Sequence, residues 1–317
     1  LAEKGKFRLD EFIEKHDIDA PWEKVLEILF GRGLVFSSKS SEFTPAAWFF
    51  RKGKLLIQPL EEEIEQGVLV PGHRFIPFYL PEVLPNEIQV KNGTGEFRSR
   101  KMITKPLQKL YTYYVLFGLH YVPELLAEES DTNLDAIRSG TGGTDTLVRI
   151  SAFDMEDFYR SSNFKQGDFI LCELDDFRDG VFTYSHVPAE SIEESRTEDW
   201  RGRIDKGFKK LFREFGTPSD NFRMLAHAYF FAGRKAVTTP GLHLGGYIND
   251  NDIVETVRFG ERFVLWKKNE SLDIFQQSQA AINRNLDNAT GSIETILADI
   301  GLSLDTEEIE AYMRDAL

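Results

Sequence analysis

Residues 163–188, NFKQGDFILCELDDFRDGVFTYSHVP, constrain the fold more than any other stretch of the chain. Gly167 and Asp168 signal a turn, and residues 169–174 carry enough β-branched and aromatic side chains for a half-buried strand. Asp175, Asp176, Asp179 and Gly180 tolerate the tight or left-handed backbone of a chain reversal. Residues 181–187 read as the returning strand, which Pro188 ends because it has no N–H to offer a ladder. The remaining elements have to pack around this β-hairpin.

Upstream, the spacing predicts two short helices over residues 8–30. Leu9, Phe12 and Ile13 form one apolar face. Trp22, Val25, Leu26, Leu29 and Phe30 recur at helical intervals after Pro21, which suits a first helical turn. Strand-like runs follow at 34–36, 46–50 and 54–58. Two helices followed by a strand pair resembles the element order of a winged helix. The helix that would read DNA, however, carries two Glu and one Lys where donors to phosphates and base edges are needed. A structural helical cap is the preferred reading.

Prolines at 71, 77, 81 and 85 keep the following stretch out of a central strand and give it a rigid, irregular path. Residues 98–117 are basic and read as an amphipathic helix from Lys105, with Leu107, Leu110, Tyr111 and Tyr114 on one face. Helical character continues through 120–129, and the polar, Gly-rich residues 131–146 read as a linker. Beyond them a strand is expected at 147–150, a short helix at 155–159, then the hairpin. A helix at 200–215 gathers Trp200, Ile204, Phe208, Leu211, Phe212 and Phe215 on one side. Another helix is expected at 221–235, a loop at 238–252, a strand at 259–267 and helix from 271 on, with Asp305 as an N-cap.

The expected fold class is therefore α+β. Two mixed halves, 1–130 (with the helical cap) and 147–270, each pair a small antiparallel sheet with flanking helices, and 271–317 is a helical C-terminal segment. The sequence also admits an internal duplication, against the alternative that two amphipathic helices have merely been slid into register. A shift of 101 residues pairs Arg100 with Arg201, Ile103 with Ile204, Lys105 with Lys206, Lys109 with Lys210, Leu110 with Leu211 and Tyr114 with Phe215.

Charge narrows the function. A net charge of -14 opposes broad, nonspecific binding of DNA or RNA. The basic exceptions are residues 91–109 and 201–213, each with six Lys or Arg against one acid. Arg100, Lys105, Lys109, Arg201, Lys206 and Lys210 are accordingly candidates for binding an anion or nucleic acid. The single Cys172 excludes an intrachain disulfide and a multi-cysteine zinc site, and its strand position suits a buried apolar role. No apolar run reaches 18 residues, so no membrane span is expected. The charged first 16 residues lack a signal-peptide core, which makes a cytoplasmic setting the expectation. A chain starting at Leu1 is expected to be cut from a longer one.

Familiar chemistry is sparse. SGTGGTDT lacks the Lys of a phosphate loop and leads into a strand. Asp175, Asp179 and Gly180 imitate a calcium loop, but Phe177 and His186 occupy ligand positions, and the NDND run at 249–252 lacks the central Gly and closing Glu. Six histidines show no paired ligand spacing, so no metal and no cofactor are expected. Two loops are candidate ligand sites. His73 and Arg74 follow a rigid Pro-Gly turn and suit a carboxylate or phosphate; His243 and Tyr247 sit among small residues. The leading expectation is an acidic, cytoplasmic binding or interaction protein with a protein partner or anionic ligand. Nucleic-acid binding through the two basic helices, and an enzyme (hydrolytic, for instance) with a dispersed site, are the alternatives.

Overall fold

The computed structural model describes residues 5–39, 42–110, 112–114, 116, 133, 146–215, 220–259 and 262–270. The chain divides into two compact units, Leu1–Lys268 and Asn269–Leu317. The helices expected at 120–129 and from 271 on, and nearly all of the linker expected at 131–146, lie outside the described residues.

The N-terminal segment, residues 7–45, has its own small core. It runs β1 (Phe7–Arg8), α1 (Leu9–Lys15), α2 (Trp22–Gly31), β2 (Val35–Lys39) and β3 (Glu42–Pro45), with strand order β1-β3-β2. Val25 and Leu29 of α2 meet Leu9, Val35 and Phe43, the inward stripe that the helical spacing predicts. The strand expected at 46–50 is instead a helix, α3 (Ala46–Phe50). Its Ala46, Phe49 and Phe50 are all buried, and this i, i+3, i+4 set faces one side only in a helix.

The chain continues through β4 (Lys54–Ile57), α4 (Glu61–Gln66), β5 (Val68–Leu69), β6 (Gln89–Lys91), β7 (Arg100–Pro106), α5 (Leu107–Leu110), β8 (Leu147–Asp154) and α6 (Glu156–Ser161). The hairpin follows as β9 (Phe169–Asp176) and β10 (Val181–Val187). Leu174 faces Phe182 and Cys172 faces Tyr184 in its antiparallel register. Asp168 fixes the base: its carboxylate accepts from the backbone N–H of Lys165 and Ala189 and lies 2.8 Å from His186 Nε2. Burial pulls its pKa upward, but these partners outweigh burial and hold it below the usual carboxylate range. A last set of elements comprises α7 (Glu194–Phe215), α8 (Asn221–Ala232), α9 (Arg234–Thr238), β11 (Gly241–Leu242), α10 (Leu244–Asn249), β12 (Val254–Phe259) and β13 (Arg262–Lys267). The loop expected at 238–252 thus holds a short strand and a helix, and the strand expected at 259–267 corresponds to β13, which pairs antiparallel with β12.

Two of the four sheets among the described residues join the expected halves. One has order β11-β4-β9-β10-β6, with β4 antiparallel to β9 while β11 and β6 pair in parallel at its margins. The other has order β5-β8-β7. Strands from before 131 pair with strands from after 146 in both. The basic helix expected at 98–117 is corrected as well. Residues Arg100–Pro106 are a strand paired along its length with β8, and α5 is a single turn beginning after Pro106. Proline removes a helical donor and clashes with the preceding turn, so a helix spanning Pro106 is disfavoured. The duplication is not shown: Arg100, Ile103 and Lys105 lie on β7, whereas the residues the 101-residue shift pairs with them, Arg201, Ile204 and Lys206, lie in α7.

The main core lies between the five-stranded sheet, α7 and α8. Trp200, Ile204, Phe208 and Leu211 of α7 are fully buried. A Cβ on Gly207 would stand 2.2 Å from the Ala228 carbonyl oxygen, so α7 and α8 touch at backbone distance. Across the sheet, residues 71–79 are buried despite having no regular structure. Their backbone is satisfied by turns and by cross-chain bonds, such as His73 N–H to the Tyr113 carbonyl and Leu80 N–H to the Phe177 carbonyl. Glu63 pins this segment: it accepts from both Arg74 Nη atoms at 2.9 and 2.8 Å and from the N–H groups of Leu60 and Val70.

Candidate functional site

A cavity of about 340 Å³ opens where α2 and β2, the proline-rich segment 73–85 and α8 meet. Six rings line it: Phe30, Phe36, Phe50, Tyr79, Phe177 and Phe222. Ring contacts hold the walls. Phe36 stacks on Phe230 at 4.6 Å, Phe50 stacks on Phe177 at 5.5 Å, and Tyr79 meets Phe222 edge-on at 5.5 Å. Ile76, Pro77, Pro81, Val83, Leu84 and Pro85 supply the aliphatic wall. Four polar residues, His73, Asp220, Arg223 and His227, join this apolar lining.

Three of the four polar residues come from one anchored helix turn and its successor. Asp220 caps α8 by accepting from Arg223 N–H at 2.9 Å. Asn221 donates to the Leu116 and Phe263 carbonyls and accepts from Leu265 N–H, tying the helix start to neighbouring segments. Arg223 and His227 then fall one turn apart. His227 Nδ1 lies 2.8 Å from the Arg223 carbonyl, so Nδ1 carries the proton and Nε2 is the acceptor. Burial pushes the His227 pKa down to about 4, which leaves the ring neutral at pH 7. The exposed Arg223 guanidinium stands 5.8 Å from the Phe215 ring centre. The cavity thus offers a broad aromatic surface together with the Arg223 cation, the neutral His227 imidazole as an acceptor, His73, and Asp220, whose side chain is engaged in capping α8.

The sequence-derived candidates scatter. His73 lines this cavity, its ring edge-on to Tyr114 at 5.1 Å. Its neighbour Arg74 instead forms the buried pair with Glu63; burial works against its charge, but Glu63 more than compensates and raises its pKa. His243 caps α10, with Nδ1 accepting from Gly246 N–H at 3.2 Å, and burial depresses its pKa to about 3. Tyr247 donates to Asp205 at 2.5 Å on the floor of a separate polar cleft that also holds Arg201. Arg100 covers the Phe153 ring at 4.2 Å and donates to the Pro85 and Ile88 carbonyls. Lys105 and Lys109 both pair with Glu62, at 3.1 and 3.4 Å. Arg201 pairs with Asp250 at 2.7 Å. Lys206 and Lys210 remain exposed on α7.

The acid-rich loops are also committed. The Asn251 side chain bonds five backbone groups between residues 247 and 254, which accounts for the NDND run as a turn. Among the described residues no group of three or more His, Cys, Asp or Glu side chains could hold a metal ion, and no helix is long and apolar enough to cross a membrane. Cys172 is fully buried and its thiol pKa is pushed up by burial. No protein-family model, curated protein or solved structure matches the chain.

Sequence reasoning missed the rings and the α8 residues of the cavity. Each Phe reads as ordinary core, and Asp220, Arg223 and His227 belong to no motif. The one usable signal is the proline spacing at 77, 81 and 85, which marks a stretch unable to join a sheet and so free to wall a hollow.

Proposed function

We propose that this protein is a ligand-binding protein whose site is the cavity between α2, the 73–85 segment and α8. The ligand class is a compact apolar, aromatic molecule with one anionic group. The observation that carries the reading is an aromatic-lined space of about 340 Å³ with a guanidinium and an imidazole acceptor among its lining groups. Ligand sites of this kind are concave and mostly apolar, with few polar groups to fix orientation. Rings would stack on Phe and Tyr faces, and the anionic group would be met by Arg223. A cytoplasmic setting forms part of the proposal.

An anilinonaphthalene sulfonate dye is the probe, since it joins fused rings to one anion. Saturable one-site binding to the folded chain is expected. Ala226→Trp, which fills the lining, should weaken it by more than about tenfold, the equivalent of 1.4 kcal/mol. Arg223→Gln should weaken it several-fold. Dye affinity unchanged in Ala226→Trp, with the melting temperature preserved, would overturn the reading.

A further inference from the structure

The exposed face of α7 carries a basic stripe that the cavity does not use. Lys206, Lys209, Lys210 and Arg213 are all exposed and follow one another at helical spacing, on the side opposite the buried Ile204, Phe208 and Leu211. Neighbouring cations are neutralised: Arg201 by Asp250, and both Arg203 and Lys235 by Asp199. Among the described residues no carboxylate is in ion-pair contact with Lys206, Lys209 or Lys210. Arg213 has only its sequence neighbour Glu214, at 3.7 Å. Such a concentration of uncompensated charge in a chain of net charge -14 is a local exception that the rest of the surface does not dilute.

Beside the stripe runs a groove of about 220 Å³ lined by Asp199, Arg203, Lys206, Phe231 and the backbone of Gly202. Gly202 adds no side chain, and a Cβ there would meet nothing within 4 Å, so this wall is open. Phe231 is half-buried and Lys210 Nζ stands 4.6 Å from its ring centre. From this juxtaposition of cations and an aromatic ring we infer that α7 binds single-stranded nucleic acid, with phosphates along Lys206, Lys210 and Arg213 and a base in the groove beside Phe231. Along the helix axis these three positions are about 6 and 4.5 Å apart, a spacing that a flexible phosphodiester chain can follow. Sequence-tolerant single-strand binders combine these two elements, backbone cations and a stacking ring. A duplex fits less well, because its bases are unavailable for stacking.

The test is fluorescence anisotropy of a labelled oligothymidylate of about 16 nucleotides against the full chain. Saturable binding is expected, with log Kd rising against log salt at a slope of about 2 if three phosphates are neutralised. Lys206→Glu with Lys210→Glu should weaken binding by more than about tenfold, and the neutral pair Lys206→Gln with Lys210→Gln by less, but measurably. Phe231→Leu should weaken it several-fold without changing the salt slope. The same charge reversal at Lys52 and Lys54, which are paired with Glu173, should leave affinity within about twofold. Absence of binding at low salt, equal loss from the Lys52 and Lys54 reversal, or equal competition by polyglutamate would each overturn the assignment. The last result would give the stripe to an acidic protein instead. Lys206, Lys210, Lys52 and Lys54 do not line the cavity, so dye binding is expected to survive the lysine variants and the two proposals fail independently.

Discussion

Glu63 accepts four hydrogen bonds while wholly buried, two of them from Arg74 and two from backbone N–H groups. At this scale the outcome is decided by desolvation. A buried ion pair adds little beyond an apolar pair, but removing one partner strands the other charge away from water. Glu63→Gln keeps the shape and deletes the charge. It is expected to lower unfolding stability by about 3–5 kcal/mol in urea titrations, and a loss below about 1 kcal/mol would show that Arg74 finds another acceptor. His73 and Arg74 were legible in sequence as adjacent polar groups after a rigid turn. Which of the two faces a cavity and which meets a carboxylate was not, because the partner lies eleven residues upstream on another element.

The elements were mostly legible where one periodicity ruled. Trp200, Ile204, Phe208 and Leu211 mark α7 by spacing alone, and all four are buried. Residues 100–106 escape a reading by periodicity because an apolar stripe at helical spacing can be extended backward over a strand. Pro106 and the β-branched Ile103 and Thr104 are the local signals against it. Contact between elements reverses an ordinary rule in α7. Alanine normally stabilises a helix interior relative to glycine, by about 0.5–1 kcal/mol, and Gly202→Ala is expected to do so because its Cβ meets nothing. Gly207→Ala should instead destabilise by about 1–3 kcal/mol, since its Cβ would collide with the Ala228 carbonyl. Chemical denaturation of the two variants side by side checks the opposite signs, and like signs would refute the close helix contact.

Across the whole molecule, the aromatic cavity exists because distant segments converge. Its wall residues run from Phe30 to His227, and the sheet beneath them draws strands from both sides of residues 131–146. A fragment of residues 1–130 therefore lacks the partners of β4 and β7. Hydrogen exchange should find the amides of these two strands unprotected in that fragment and protected once a fragment of residues 147–317 is added. Protection in the first fragment alone would mean that the halves fold separately after all.

What the sequence determined by itself was local: the hairpin at 169–187 from its turn residues and flanking strands, the buried face of α7, the cap helices, and Cys172 as a core side chain. Propensity, turn chemistry and periodicity act over a few residues, so they are readable wherever they agree. Tertiary structure alone decided that 100–106 is a strand, that both halves share sheets, and that the rings of Phe30, Phe36, Phe50, Tyr79, Phe177 and Phe222 leave a hollow between them. Those outcomes depend on which distant surfaces bury each other, and on the space left when rigid rings and prolines cannot pack it closed.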